Sequence, residues 1–146
     1  MIWFGFTAKR VGPLAIIDGT MNTEKYLKTI ETHFLPLKQD NGSIILQEDN
    51  APCHKSKASK LYKEENGIHT LDWVPYSPDL NPIENLFAML KKKIAKKMKS
   101  NKSELIQSIR QVWQSEISQE YCKNLIESMK RRIERVIEVN GGHTKY

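Results

Sequence analysis

Apolar residues recur at helical spacing in the segment that starts at Pro82. They occupy positions i, i+3, i+4, i+7 and i+11 and so share one side of a helix: Ile83, Leu86, Phe87, Leu90 and Ile94. Asn81 suits the N-cap of that helix, and proline is favoured at the first helical position. Pro75 and Pro78 interrupt regular structure just before it. The pattern therefore predicts a helix whose first turn is held at a fixed point by a stiff loop.

Short apolar runs upstream of this helix predict strands. Residues 2–7 and 13–18 flank a turn at 9–12 and should form a hairpin. Residues 44–47 and 68–74 are bounded by turn-forming residues, so we expect two buried strands there. Because a helical segment separates these last two runs, their strands should pair in parallel. The pattern is typical of an α/β fold.

Two helices are predicted between these strands. The first begins at residue 22 or 23 and continues to about residue 35, where Pro36 and then residues 41–42 should end it. Its inward positions are Tyr26, Leu27, Ile30 and Phe34. The second covers about residues 55–65 and stops at Gly67.

Two more helices are predicted after residue 100. One covers about residues 102–115, with Asn101 as its cap and Glu104 three residues later. It places on one face Leu105, Ile109, Val112 and Trp113. The other covers residue 118 to about 139, and its periodicity predicts an inward face made of Cys122, Leu125, Ile126, Met129, Ile133, Val136 and Ile137.

Composition narrows the class of protein. A chain of 146 residues with 39% hydrophobic and 27% charged residues is expected to form one globular domain. Its net charge of +6 favours a polyanionic partner. Cys53 and Cys122 stand far apart in unlike contexts, so we expect free thiols in a reducing compartment and no zinc site. No stretch has the pattern of a membrane span or a secretory signal, and no membrane partner is expected.

Two carboxylates follow the predicted strands. Asp49 stands at the carboxyl end of the run 44–47, and Glu84 lies in the first turn of the helix after the next strand. Neighbouring parallel strands would bring both to one edge of the sheet, where α/β proteins place their chemistry. Oxygen ligands of this kind suit Mg²⁺. A simpler interpretation of Glu84 is a capping box, in which its carboxylate reaches back to the backbone N–H of Asn81.

The residues around these two acids resemble the catalytic domain of Tc/mariner-type transposases. The resemblance lies in residues 49–54 (Asp-Asn-Ala-Pro-Cys-His) and 77–87 (Ser-Pro-Asp-Leu-Asn-Pro-Ile-Glu-Asn-Leu-Phe), with thirty-four residues between Asp49 and Glu84. Residues 12–22 and 141–146 resemble the family's hairpin region and its carboxyl terminus. Such transposases cut and paste DNA, belong to the DDE class and have a ribonuclease-H-like fold.

The resemblance implies an incomplete ribonuclease-H-like α/β fold with carboxy-terminal helices. The family's first catalytic Asp lies on a central strand ahead of the hairpin, and the chain starts where the second strand is expected. Asp18 is expected to be a turn residue and not a substitute for that Asp. We therefore expect residues 1–146 to be a single truncated catalytic domain without the amino-terminal DNA-binding domain. Such a chain should be inactive alone and poorly stable or rearranged at the gap.

The resemblance also implies ligands and partners. Asp49 and Glu84 would hold Mg²⁺ or Mn²⁺ for cleavage and transfer of DNA strands, and the binding is expected to be weak without the family's first Asp. Asn50 and His54 would orient ligands or touch DNA, and a purely structural role for His54 stays open. The partners would be transposon ends and target DNA, with a homodimer as a further expectation. The compartment would be the nucleus.

Six lysines between Lys91 and Lys99 form a basic run after the Glu84 helix. Such runs are most often a solvated helix face. Under the family resemblance, Lys91 and Lys92 could instead contact DNA phosphates, and the run could serve nuclear import.

Two other hypotheses remain. The chain could be a catalytically dead, transposon-derived module that binds nucleic acid or self-associates. Alternatively, it could be a small helical nucleic-acid-binding protein in which both acids only cap helices.

Overall fold

The computed structural model describes residues 1–75, 77–97 and 100–142. The chain divides into two compact units. The first comprises Met1–Phe4 and Pro13–Tyr76, and the second comprises Gly5–Gly12 and Ser77–Tyr146. Lys99 of the basic run and residues 143–146 of the carboxy-terminal motif lie outside the described residues.

The predicted hairpin is confirmed, but its bounds differ: Val11 and Gly12 of the predicted turn belong to the second strand, which ends at Ile16 and not at Asp18. Strand β1 (Ile2–Phe6) pairs with strand β2 (Val11–Ile16) in a two-stranded sheet. Beyond the ladder, the N–H of Ile17 donates to the carbonyl of Met1 at 2.8 Å. Asp18 follows in an exposed bend before Gly19, whose positive φ of 69° suits a glycine.

The first long helical segment of unit 1 is continuous but changes its winding. Helix α1 (Thr23–Thr29) leads into a π-helical turn (Ile30–Phe34) and then helix α2 (Leu35–Asn41). The prediction that Pro36 helps to end this helix is wrong. The N–H of Leu35 donates to Ile30 five residues back, and this wider turn precedes the residue that has no N–H to donate.

A small apolar core forms on this segment. Tyr26, Ile30 and Phe34 are buried as predicted and pack with Ile68. Partly buried residues that pack around them include Trp3, Leu27, Ile44, Leu46 and Tyr62.

Two short helices follow the Asp49 segment. Helix α3 (Pro52–Lys55) and helix α4 (Lys57–Glu65) are separated at Ser56, whose side chain caps α4. Gly67 ends α4 as predicted, with φ of 58°. The buried face of α4 carries Ser59 and Lys63, while Leu61 is exposed.

The two buried strands predicted at 44–47 and 68–74 are wrong in extent. The structure has a single parallel bridge between Leu46 and Thr70. The N–H of Leu46 donates to His69 at 2.8 Å, and the N–H of Leu71 donates back to Leu46 at 2.9 Å. Ile45, Leu71 and Val74 are exposed, so these apolar runs lack the cover that a longer buried ladder needs. The predicted parallel direction is correct.

Helices make up most of unit 2. They are α5 (Pro82–Ala95), α6 (Lys102–Ser115), α7 (Gln119–Glu127) and α8 (Met129–Glu138). Helix α5 packs against α6 and α7. Fully buried side chains fill this packing: Leu86, Leu90, Val112 and Cys122. The indole N–H of Trp113 donates to the carbonyl of Gly12 at 2.9 Å, which ties α6 to the hairpin turn.

The predicted inward face of the last helix is wrong over its second half. The chain breaks into α7 and α8 at Ser128, and Ile126, Ile133 and Ile137 are exposed. Cys122 and Leu125 are buried as predicted. In α8 the buried residue is Arg132, because its guanidinium finds hydrogen-bond acceptors on neighbouring elements of unit 2.

None of the helices in the described ranges has the length and apolar character that crossing a bilayer requires.

Candidate active site

Asp49 presents an exposed carboxylate whose direction is fixed. It lies three residues after the Leu46 bridge, and its side chain is 63% exposed. Its Oδ1 accepts the N–H of Ala51 at 3.0 Å and lies 2.8 Å from Nδ1 of His54. Within the described residues, the other oxygen of Asp49 accepts no hydrogen bond. One carboxylate oxygen therefore anchors the side chain while the second faces outward.

His54 is held from several sides. It lies on α3, and its side chain is 16% exposed. Its ring packs on the ring of Tyr26, with centroids 4.6 Å apart. Besides Oδ1 of Asp49, its Nδ1 lies 3.3 Å from the carbonyl of Asp49. The geometry gives His54 a role in orienting Asp49, and contact of His54 with DNA stays a prediction.

Glu48, the neighbour of Asp49, points inward and belongs to a buried polar network. Its carboxylate forms an ion pair with Lys63 and accepts a hydrogen bond from the Tyr26 hydroxyl at 2.5 Å. Lys63 also donates to the carbonyl of His54 at 3.1 Å. Burial, followed by the charge of Glu48, raises the pKa of Tyr26 far above its usual range, so Tyr26 stays a hydrogen-bond donor. Glu48 and Asp49 are thus adjacent carboxylates with opposite environments.

Asn50 fastens the same loop. Its side-chain amide donates to the carbonyl of Trp73 at 3.1 Å. This bond links the residue after Asp49 to the segment that follows the Thr70 bridge. The contact gives Asn50 a structural role within unit 1, and its predicted contact with DNA is untested.

A surface cavity of about 400 Å³ opens beside this network. Its wall includes basic side chains from α3, α4 and the segment after them: His54, Lys55, Lys60, Lys63 and His69. Lys63 already pairs with Glu48, so Lys55 and Lys60 are the cations that remain in a lining that also includes Glu64.

Glu84 lies in unit 2, in the first turn of α5. The N-cap and first-turn assignments of Asn81 and Pro82 are confirmed, because the Asn81 side chain accepts the N–H of Ile83 at 3.3 Å. The capping-box interpretation of Glu84 is not realised: the N–H of Asn81 donates to Pro78 at 3.0 Å. Glu84 is exposed, and its carboxylate accepts no hydrogen bond from any residue that the structure describes.

The two predicted metal ligands are thus described in separate units, Asp49 in the first and Glu84 in the second. Both carboxylates are exposed: Asp49 lies in the irregular segment before α3, and Glu84 lies in the first turn of α5. In the described ranges, no three His, Cys, Asp or Glu side chains are grouped so as to hold a metal ion.

Several lysines of the run that begins in α5 already contact other side chains. Lys93 and Lys97 both pair with Glu116, at 3.2 and 3.0 Å. Hydrogen bonds from Lys97 and then Lys93 lower the pKa of Glu116. The ammonium of Lys91 lies 4.4 Å from the ring centre of Phe87, and Lys92 is exposed. Lys91 is exposed as well, and contact of either lysine with DNA stays a prediction.

Residues 3–106 match a family described as DDE superfamily endonuclease. The chain belongs to this family. The matched range covers both Asp49 and Glu84 and ends inside α6.

Individual relatives of this DDE-family chain are transposases. The Tc1 transposase of Caenorhabditis elegans is 34% identical over 148 residues, which cover 100% of this chain and 54% of that protein. The Tcb2 transposase of Caenorhabditis briggsae is 32% identical over the same shares. The chain thus spans about half the length of the curated relatives it matches. These matches confirm the predicted resemblance to Tc/mariner-type transposases.

Solved structures confirm the predicted α/β, ribonuclease-H-like fold of the DDE-family chain. The catalytic domain of Mos1 mariner transposase matches with a TM-score of 0.84 at 20% identity, over 96% of this chain and 73% of that one. The Mos1 paired-end complex with Mn matches with a TM-score of 0.86 at 20% identity, over 99% and 44%. A structure of the Mos1 catalytic domain and Raltegravir with Mg matches with a TM-score of 0.82 at 19% identity, over 96% and 74%.

Sequence reasoning missed the polar groups that support the two carboxylates of this DDE-family chain. It did not single out Glu48, Lys63 or Tyr26 as a network in unit 1, nor Arg132 and Asn85 in unit 2. Lys63 stands four residues after Ser59 and shares its side of α4, but a serine does not mark a buried side, so this spacing gave no signal of the network.

Proposed function

We propose that this chain supplies the DNA-cleaving domain of a Tc/mariner-type transposase, with Asp49 and Glu84 as ligands of a divalent metal ion. The observation that carries the proposal is that the Asp49 carboxylate is both exposed and oriented. Its carboxylate is exposed yet oriented by His54 and the N–H of Ala51, in a chain of the DDE endonuclease family. Glu48 shows the contrast, because a structural carboxylate in the same loop is buried and ion-paired.

The donor chemistry of the two residues fits Mg²⁺ or Mn²⁺. Both offer carboxylate oxygens, which these hard cations prefer, and both are accessible to solvent. Structures of the Mos1 catalytic domain with Mn and with Mg support the choice of metal. When bound, such an ion lowers the pKa of water and stabilises the leaving oxygen of a phosphodiester.

The chain's own residues would orient these ligands. His54 and the Ala51 N–H hold one oxygen of Asp49 and leave the other for the metal. Asn50 restrains the loop through Trp73. Asn81 fixes the first turn of α5, so Glu84 leaves the helix at a defined place.

DNA is the substrate that the charge favours, in the form of transposon ends and target DNA. The chain carries a net charge of +6, and Lys92 is exposed on α5. A Mos1 paired-end complex with the left transposon end, a relative in fold, supports this choice.

The proposal also includes an oligomeric state and a cellular compartment. The protein would act as a homodimer on two transposon ends, which sedimentation with and without DNA would test. It would act in the nucleus, with the lysine run as the import patch. A fluorescent fusion that stays nuclear after Lys91, Lys92 and Lys96 are changed to Ala would contradict the role of that patch.

Metal binding is the first test. Residues 1–146 are titrated with Mn²⁺, and free Mn²⁺ is measured by electron paramagnetic resonance. Asp49→Asn and Glu84→Gln should each weaken binding, whereas Asp72→Asn, a change at another exposed carboxylate of unit 1, should not. Equal affinity in all four proteins would overturn the assignment of the ligands.

Strand cleavage is the second test. Because the chain spans 54% of Tc1 transposase, the assay joins ahead of Met1 the segment of that relative which the family resemblance places before the hairpin. This longer protein should nick plasmid DNA only with Mg²⁺ or Mn²⁺, and either substitution should abolish nicking. Nicking that survives both substitutions, or DNA binding without any metal-dependent cleavage, would reject the proposed activity.

A further inference from the structure

Arg132 on α8 is a buried cation with an unusual set of acceptors. Arg132 is only 2% exposed. Its Nε donates to the hydroxyl of Ser128 at 2.9 Å, one turn earlier on the same segment. One terminal nitrogen donates to the carbonyl of Asp79 at 2.7 Å, and the other donates to Oδ1 of Asn85 at 2.7 Å. The guanidinium therefore uses all three nitrogens in hydrogen bonds of good length.

These acceptors lie on both sides of Glu84. Asp79 belongs to the 3-10 turn (Pro78–Leu80) that precedes α5, and Asn85 is the residue directly after Glu84. One rigid, planar group thus joins the loop before the helix to the first turn of the helix. The bond at Asn85 fixes the rotation of that turn, and the bond at Asp79 fixes the chain entering it.

The direction of the Glu84 side chain depends on how its backbone is held. Its own side chain is exposed and accepts no hydrogen bond within the described part of the chain. Among the residues that the structure describes, none holds the carboxylate itself in place, in contrast to Asp49, which His54 orients directly. The direction of Glu84 therefore depends on how firmly the first turn of α5 is held.

We propose that Arg132 is a positioning residue for Glu84. It acts through Asp79 and Asn85, keeping the first turn of α5 where Glu84 can bind a divalent cation. The inference rests on the proposed function of Glu84 as a metal ligand. It assigns a role in the site to α8, whose residues lie outside the range matched by the DDE family.

The test compares Arg132→Lys with Asn85→Ala. Lysine keeps the positive charge but replaces the planar fork with a single ammonium, which cannot reach both acceptors in the same geometry. Asn85→Ala removes only the side-chain acceptor beside Glu84. A matched control is Arg135→Lys, one turn along the same helix, where the arginine is exposed and pairs with Glu138.

The main readout is the Mn²⁺ affinity of residues 1–146, measured by electron paramagnetic resonance on protein shown to be folded by circular dichroism. Groups that orient metal ligands typically change affinity by about 10- to 100-fold. We expect Arg132→Lys and Asn85→Ala to weaken Mn²⁺ binding within that range and Arg135→Lys to leave it unchanged. Excess Mn²⁺ should saturate both weakened variants, because the ligand itself is still present.

Glu84→Gln, measured in parallel, separates two kinds of failure. If Glu84→Gln leaves Mn²⁺ affinity unchanged, the proposed function of Glu84 is wrong. If Glu84→Gln weakens binding while folded Arg132→Lys and Asn85→Ala bind like the parent chain, only the positioning role is overturned. If Arg132→Lys does not fold, Asn85→Ala alone decides: unchanged affinity in that variant rejects the role.

Discussion

Lys63 and Glu48 form an ion pair in which both side chains are 8% exposed. The pair lies directly behind Asp49, and Tyr26 and the His54 carbonyl complete its hydrogen bonds. A buried ion pair adds little stability compared with apolar residues, but removing one partner leaves an uncompensated charge. The pair therefore makes the inward position of Glu48, and hence the outward position of Asp49, hard to reverse.

Lys63→Met should lower the free energy of unfolding by about 3–5 kcal/mol, because Glu48 would remain buried without its cation. Urea denaturation of residues 1–146 measures the change. The control is Lys60→Met on the same helix, at an exposed position, for which we expect a change within about 0.5 kcal/mol. The double variant Glu48→Gln, Lys63→Met should lose less than the sum of the two single changes. Simple additivity would show that the pair is not coupled.

His54→Ala should weaken metal binding at Asp49 while Asp49 itself is intact. The imidazole Nδ1 lies 2.8 Å from Oδ1 of Asp49, and loss of an orienting group of this kind typically costs about 10- to 100-fold in metal affinity. Mn²⁺ titration measures the effect. His69→Ala, which removes an exposed imidazole from the rim of the neighbouring cavity, serves as the control. Equal loss in both variants would point to a non-specific contribution of imidazole groups to Mn²⁺ binding and not to orientation of Asp49.

Sequence rules predicted helix ends where the stabilising contacts are local. Helix α6 has the predicted bounds because Asn101 caps it as predicted and the Glu104 side chain reaches back to the residues at its start. Oδ1 of Asn101 accepts the N–H of Glu104 at 2.9 Å, and the Glu104 carboxylate accepts the N–H of Ser100 at 2.7 Å. Every partner lies within four residues, so the sequence alone carries the information.

The buried face of α8 depends on partners far along the chain. The acceptors of Arg132 at Asp79 and Asn85 stand 53 and 47 residues away. Periodicity places arginine outward and isoleucine inward, since it takes no account of such acceptors. Once Arg132 turns in, Ile133 and Ile137 lie on the opposite, exposed side of the helix.

In the candidate site too, features set by local contacts could be predicted and features set by distant partners could not. The position of Asp49 after an extended run follows from local pattern, and so does the start of α5 before Glu84. Local pattern does not predict which of Glu48 and Asp49 points inward. Lys63, fifteen residues after Glu48, and Tyr26, twenty-two residues before it, decide that choice through their contacts with Glu48. Sequence periodicity also could not show that the two strands would shrink to a single bridge, since apolar runs do not reveal whether anything covers them.

Cys122 should resist thiol reagents in the folded protein, whereas Cys53 should react slowly. Burial raises the pKa of Cys122 to about 11, and its side chain is inaccessible; burial also raises the pKa of Cys53, which is half-buried. Because the thiolate is the reactive form, Ellman's reagent at pH 8 should titrate one thiol per native chain and two after unfolding. Cys53→Ser should abolish the native reaction. Rapid native modification of Cys122 in that variant would contradict the packing of α7.

The raised pKa of the Cys122 thiol also predicts how the free energy of unfolding changes with pH. The unfolded chain loses the Cys122 proton near its usual pKa of 9.0, while the folded chain keeps it until about pH 11. The stabilising contribution is therefore complete below pH 9 and is lost as pH rises from 9 to 11. Cys122→Ala should show a smaller loss of stability than the parent chain over this interval.

Glu116→Gln should strengthen binding to duplex DNA. Glu116 holds Lys93 and Lys97 by ion pairs, so its neutralisation frees two cations on the basic run. Each additional phosphate contact steepens the slope of log affinity against log salt by about 0.9. Fluorescence anisotropy with a short duplex over a range of NaCl concentrations measures both quantities. Glu120→Gln, which changes the net charge equally at an exposed position of α7, is the control.

Acid should reproduce the effect of this substitution. The lysines lower the pKa of Glu116, so the ion pairs persist at neutral pH and are lost only as pH falls through that lowered value. The parent chain should therefore gain DNA affinity at the acid end of its stable range, and Glu116→Gln should not. If Glu120→Gln steepens the salt dependence as much as Glu116→Gln does, overall charge accounts for the gain. In that case, releasing Lys93 and Lys97 from Glu116 adds no phosphate contact. The lysine run would then be only a solvated helix face.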